Sequence, residues 1–239
     1  MPEPLVAAAT TGTAASRSGV ATVSTIDDPF AELTHGIGGT PDPSGPAGTD
    51  AGIAPPHPSR LVRAMLFADV RGFSKLTDEQ LPVFAAHVFA SFAAVLAHHG
   101  AVVEYSNTWG DALYAVITDA VSAAACALDL QDAMERLDPE AIGLPADLAL
   151  RLGGHVGPIF PVTDPVLNRR SFVGSHVNRT ARIEPVTPPG AVYVTSPFAA
   201  ALELASGHAF ACDYVGQRPA AKDFGVLRMY RLRRTNAAS

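Results

Sequence analysis

The sequence predicts an α+β fold, a ferredoxin-like βαββαβ core with appended α and β elements, preceded by a disordered N-terminal segment. Three observations predict it. From Arg63 onward, short strand-like apolar runs alternate with stretches whose apolar residues recur every three or four positions. Two of the strand runs flank a Gly-Asp turn. Residues 1–60 differ in texture, with 9 of the 20 prolines, 8 of the 20 glycines and no lysine. Such a lead cannot bury enough apolar surface to offset its ordering entropy. The expected organisation is a linker at 1–60, one domain at 61–234 and a tail at 235–239.

Taken in order, residues 63–70 read as a mostly buried strand whose apolar run stops at Asp69. Leu81, Phe84, Ala85, Val88, Phe92, Val95 and Leu96 then mark one face of a helix closed by His99-Gly100. Runs 101–106 and 112–117 form a hairpin around Asn107–Asp111. Residues 119–137, rich in alanine, predict a second helix packed closely on a sheet. A strand at 146–155, a polar hairpin through Asn168-Arg169-Arg170 and a helix over 174–184 ending before Pro185 come next. A strand at 191–194, a helix at 196–205 and a closing strand pair at 209–215 and 226–232 complete the chain. Helices are expected to cover one face of a largely antiparallel sheet.

The chain has 239 residues, 48% hydrophobic and 17% charged, with a net charge of −6. Six acids against two arginines in residues 1–60 leave −2 for the remainder, too neutral for a nucleic-acid or anionic-membrane binder relying on a basic field. No run of 18 apolar residues occurs, so no membrane span is expected. Met1 to Ala15 lacks the basic region and apolar core of a secretory signal. Cys126 and Cys212 lack metal-ligand spacing and read as small buried thiols of a cytoplasmic protein.

The chemistry converges on acids at strand ends. Asp69 ends the first strand and Asp111 sits at the hairpin tip. These elements are neighbours in a βαββαβ sheet, so the two carboxylates can meet on one hard cation such as Mg²⁺. Backbone amides of Gly72, Phe73 and Ser74, at the expected helix start, would face a phosphate. Asn178 and Arg182, spaced i, i+4, share a helical face and suit charge developing on a phosphoryl oxygen. His98-His99 reads as a helix-end cap, Trp109 as packing at the hairpin, and Arg231, Arg233 and Arg234 as a solubilising face of an edge strand.

These residues carry a resemblance. Phe67-Ala68-Asp69-Val70-Arg71-Gly72-Phe73-Ser74 resembles the first metal motif of the class III nucleotidyl cyclases, the adenylyl and guanylyl cyclase catalytic domain. Trp109-Gly110-Asp111-Ala112-Leu113-Tyr114-Ala115 resembles the second. Arg151 to Pro158, Gly174-x-x-Val177-Asn178-x-x-Ala181-Arg182 and Pro189-Gly190 to Ser196 are similar to three further motifs, in family order. The resemblance implies two divalent ions, Mg²⁺ or Mn²⁺, on Asp69, Asp111 and the Val70 carbonyl. It implies that Asn178 orients the ribose, that Arg182 neutralises the α-phosphate, and that a homodimer builds shared sites from both chains. The expected reaction turns ATP, in preference to GTP, into a 3′,5′-cyclic nucleotide and pyrophosphate. Two base-reading positions depart from the family pattern, falling on Asn107 and Ser171, and a usual lysine-rich clamp keeps only Lys222, beside Asp223. These departures motivate the alternative of a degenerate cyclase fold acting as a nucleotide-binding or dimerisation module.

Overall fold

A computed structural model describes residues 59–205, 209–222 and 224–235. The linker expected at 1–60 lies outside the described residues except for Ser59 and Arg60, as do Asp223 and all of the expected tail but Thr235.

Strand β1 (Leu61–Arg71) is central because every second residue is small or aliphatic and buried. Helix α1 spans Gln80–His98 and widens into a π turn over Ala85–Phe89. Pro82 lies in its first turn, where an absent N–H costs nothing. Strands β2 (Val103–Trp109) and β3 (Ala112–Ile117) pair so that Trp109 opposes Ala112, leaving the two-residue turn Gly110-Asp111 with Gly110 at φ 57°. Helix α2 (Ala120–Glu135) is capped by the Asp119 carboxylate, which accepts from the Ser122 amide at 2.8 Å. Then follow β4 (Ala149–Asp164), β5 (Arg169–Val173), α3 (Ser175–Thr180), β6 (Ala191–Thr195), α4 (Ser196–Ala205), β7 (Phe210–Pro219) and β8 (Val226–Arg234).

The sheet order is β2-β3-β1-β4-β6-β8-β7, with β5 folded back on β4. Its first four strands are the ferredoxin-like core, with β1 antiparallel to both β3 and β4. The strands at the two ends of this order each carry a bulge, at Glu104 in β2 and Val215 in β7.

Alternation along the strands sorts the two faces. Ala64, Leu66, Ala68 and Val70 of β1 join Leu113, Ala115, Leu150 and Leu152 in a large core sealed by Phe84, Val88 and Phe92 of α1, by α2, and by Phe198 and Leu202 of α4. Met65, Tyr114, Val116 and Ile159 point the other way and are covered by Phe172 and by Val177 of α3. The expectation of helices on one face is therefore corrected. The short α3 lies opposite the others, because Val177 is an apolar anchor suited to that second, smaller core.

Other expectations also change. Strand β4 runs on through Pro158 to Asp164 and forms the hairpin arm with β5. Helix α3 stops at Thr180; i→i+3 bonds from Arg182 to Arg179 and Ile183 to Thr180 tighten the chain, so Arg182 lies beyond the helix that was to carry it. Strand β8 is internal, so its arginines do not line an edge. Arg233 pairs with Asp213 at 2.6 Å, and Arg234 reaches Asp132 of α2 at 2.9 Å. Trp109 is not packed but 65% exposed. Helix α1 has 19 residues and a mean hydropathy of 1.7, so by length and composition it could cross a bilayer, against the sequence expectation. Phe84, Val88 and Phe92 are buried in the core, while the rest of the helix is at least partly exposed. Cys126 is buried, Cys212 half-buried, and both are free thiols.

Candidate active site

The site grows from a mismatch of two ladders. Strand β1 pairs with β4 as far as Arg71, but its pairing with β3 ends at Ala68. The β3-facing edge of Asp69, Val70 and Arg71 thus opens where the β2–β3 turn brings Asp111 beside Asp69. The two carboxylates act on each other electrostatically. Burial, then Asp69, push the Asp111 carboxyl up to about 7.

Across the sheet, Arg151 stands directly opposite Asp69. Its Nη2 donates to the Asp69 carboxylate, and its Nε lies 2.9 Å from Glu184 Oε1. That second contact is poorly aligned, so neither atom completes a hydrogen bond. Burial and then Asp69 raise the Glu184 carboxyl to about 8. Glu184 arrives because Gly153 leaves room: a Cβ there would stand 2.8 Å from the Glu184 nitrogen and from Ile183 Cβ. Sequence reasoning missed both roles. The available signal was an arginine within an apolar strand, which demands a buried counter-charge.

Three acids thus share one arginine, and this oxygen-only donor set suits a hard divalent cation. Among the described residues no group of three or more His, Cys, Asp or Glu side chains is arranged to hold a metal. The fit therefore rests on Asp69, Asp111 and the neighbouring backbone carbonyls. Gly72, at φ 95°, Phe73 and Ser74 begin a separate one-turn 3₁₀ segment, six or more residues before α1. The expected phosphate nest at the head of the long helix is corrected accordingly.

Asn178 is half-buried on α3. That helix is pinned by a chain of ring nitrogens. His155 Nδ1 lies 2.6 Å from Thr195 Oγ1, and its Nε2 lies 2.7 Å from His176 Nδ1, with the rings nearly coplanar at 8°. Burial, then His176, hold His155 down to about 3, so it stays neutral. Gly157 is the floor of this contact, since a Cβ there would lie 2.2 Å from His176 Nδ1. Beyond α3, the Arg182 carbonyl accepts from the Ala221 amide at 3.3 Å, which brings the Lys222 loop to Arg182. Asn107 lies within β2, and its Oδ1 accepts from Arg169 Nη2 of β5 at 2.8 Å. Ser171 sits two residues farther along β5.

A family model for the adenylate and guanylate cyclase catalytic domain matches residues 59–231. The chain belongs to this family. The cyclase domain is 30% identical over 135 residues to uncharacterized proteins of Mycobacterium tuberculosis and Mycobacterium bovis, a match spanning 55% of this chain and 42% of theirs. Among solved structures it is similar to the adenylyl cyclase CyaB of P. aeruginosa, with a TM-score of 0.66 and 18% identity over 76% of this chain and 98% of that one. It is also similar to the guanylate cyclase domain of RhGC from Catenaria anguillulae, solved in complex with GTP, with a TM-score of 0.62 and 18% identity over 74% and 98%. At these identities the structures establish the fold of the cyclase domain.

Proposed function

We propose that this chain is a nucleoside triphosphate cyclase that forms a 3′,5′-cyclic nucleotide, cAMP rather than cGMP, together with pyrophosphate. The observation that carries the reading is the side-by-side placement of Asp69 and Asp111 at the open end of β1, with the Asp111 proton affinity raised by burial and by its neighbour. Such a pair concentrates negative charge that Arg151 offsets only in part. Asp69, Asp111 and the Val70 carbonyl would hold two divalent ions, Mg²⁺ or Mn²⁺. When bound, such ions lower the pKa of the ribose 3′-hydroxyl and neutralise triphosphate charge.

The chain's own residues do the rest. Asn178 orients the ribose from α3, whose position is fixed by the His176–His155–Thr195 contacts. Arg182 balances charge on the α-phosphate while the ribose 3′-oxygen bonds to the α-phosphorus. The α–β bridging bond breaks, pyrophosphate leaves with its charge met by Lys222, and the hydroxyl proton passes to water. Gly72, Phe73 and Ser74 lie beside the metal pair and contact phosphate, and Asn107 and Ser171 face the base. Asp69 and Asp111 of one protomer face Asn178 and Arg182 of a second copy, giving a homodimer with two equivalent sites.

The engagement of Asp69 by Arg151 favours a second reading, a nucleotide-binding or dimerisation module without turnover. A product assay with ATP and GTP in Mg²⁺ and Mn²⁺ separates the two. Cyclic nucleotide formation abolished by Asp69→Ala is expected. No product from either nucleotide, with nucleotide affinity unchanged in Asp69→Ala, overturns the cyclase.

A further inference from the structure

We propose that Arg169 is a specificity-determining residue that turns the Asn107 amide so that the site reads adenine. The inference rests on the reading of Asn107 and Ser171 as the base contacts.

Arg169 opens β5, with its guanidinium over the Tyr105 ring at 5.5 Å and its Nη2 2.8 Å from Asn107 Oδ1. Neighbouring carboxylates are engaged by other donors. Glu104 takes Arg63 at 2.7 Å and Arg170 at 3.2 Å, and Asp164 accepts the Val166 and Leu167 amides within its turn. A guanidinium has donors only, so the atom it meets must be the amide oxygen. The amide is planar, so Nδ2 points away from Arg169. An asparagine free to turn offers one donor and one acceptor and suits either purine. Asn107 held this way turns its Nδ2 donors, rather than its oxygen, away from Arg169.

The match then follows from counting. The Watson–Crick edge of adenine has one acceptor, N1, and one donor, the 6-amino group. Asn107 Nδ2 and the Ser171 hydroxyl, which can accept, satisfy both. The same edge of guanine has one acceptor, O6, and two donors, N1–H and the 2-amino group, and the pair leaves one donor unmet. An unpaired donor in a closed site weakens binding by about tenfold or more.

The test is equilibrium binding of ATP and GTP, with Mg²⁺, to the full chain and to Arg169→Ala, Arg169→Glu and Asn107→Ala. Arg169 is exposed, so the variants should keep the unfolding midpoint of the parent. The parent is expected to prefer ATP by about tenfold and Arg169→Ala to lose that preference. Arg169→Glu puts an acceptor against the amide, turns Oδ1 outward and should favour GTP. A parent that binds GTP as well as ATP overturns the inference. If Asn107→Ala changes the ratio while both Arg169 variants keep it, Arg169 has no such role but the base contact stands. An unchanged ratio in all three overturns the base-contact reading as well.

Discussion

Replacing Asp111 by Asn tests the carboxylate pair through stability alone. In the metal-free chain Asp111 holds its proton up to about pH 7, against 3.8 for an ordinary aspartate. A raised carboxyl binds more protons folded than unfolded between those values, so its contribution to stability falls as pH rises from about 4 to 7 and is flat above. Three pKa units correspond to at most about 4 kcal/mol, and partial solvent access at the turn reduces this to about 1–2 kcal/mol. Asparagine mimics the protonated acid without the titration. Asp111→Asn should therefore match the parent near pH 4 and exceed it by about 1–2 kcal/mol at pH 8, in urea unfolding with chelator present. Adding Mn²⁺ at pH 8 should stabilise the parent more than the variant. A variant less stable than the parent at pH 8, or a difference independent of pH, would refute the crowding of the two carboxylates.

Two further outcomes follow from the same cluster and its neighbour. Arg151→Met leaves Asp69 and Glu184 buried without their shared counter-charge and should cost about 3–5 kcal/mol in urea unfolding at pH 8, with partial recovery on adding Glu184→Gln. His155, neutral down to about pH 3 when folded, should make the chain lose stability as pH falls below about 6.5. His155→Asn should flatten that acid limb, read as the unfolding midpoint between pH 7 and 4.

The periodic elements were legible because their signals are local. The strand read at 63–70 is β1 within two residues, and the helix read at 196–205 is α4 as found. Asp69 and Asp111 were legible as neighbours because strand order follows from the βαββαβ pattern. What escaped depends on distant partners. The sequence predicts a longer α3 because nothing nearby in it shows Ile183 entering a third core cluster with Tyr193 and Met229, beyond the tight turns after Thr180. A lone tryptophan predicts packing, yet Trp109 lies exposed at the end of an edge strand. Arg169 appeared only as a hairpin residue, since its bond to Asn107 crosses 62 positions.

The two bulges limit how copies of this chain can associate. An extra residue at Glu104 and another at Val215 sharpen the twist of β2 and β7, the strands that end the sheet. Neither edge offers the flat, regular row of amides and carbonyls on which a foreign strand could template itself. Glu104 adds a charge at one of these edges, already claimed by Arg63 and Arg170. Growth of the sheet from molecule to molecule, the route to fibres, is disfavoured at β2 and β7. In the dimer proposed above, association would then run through the turns and the β4–β5 arm rather than through strand addition at β2 or β7.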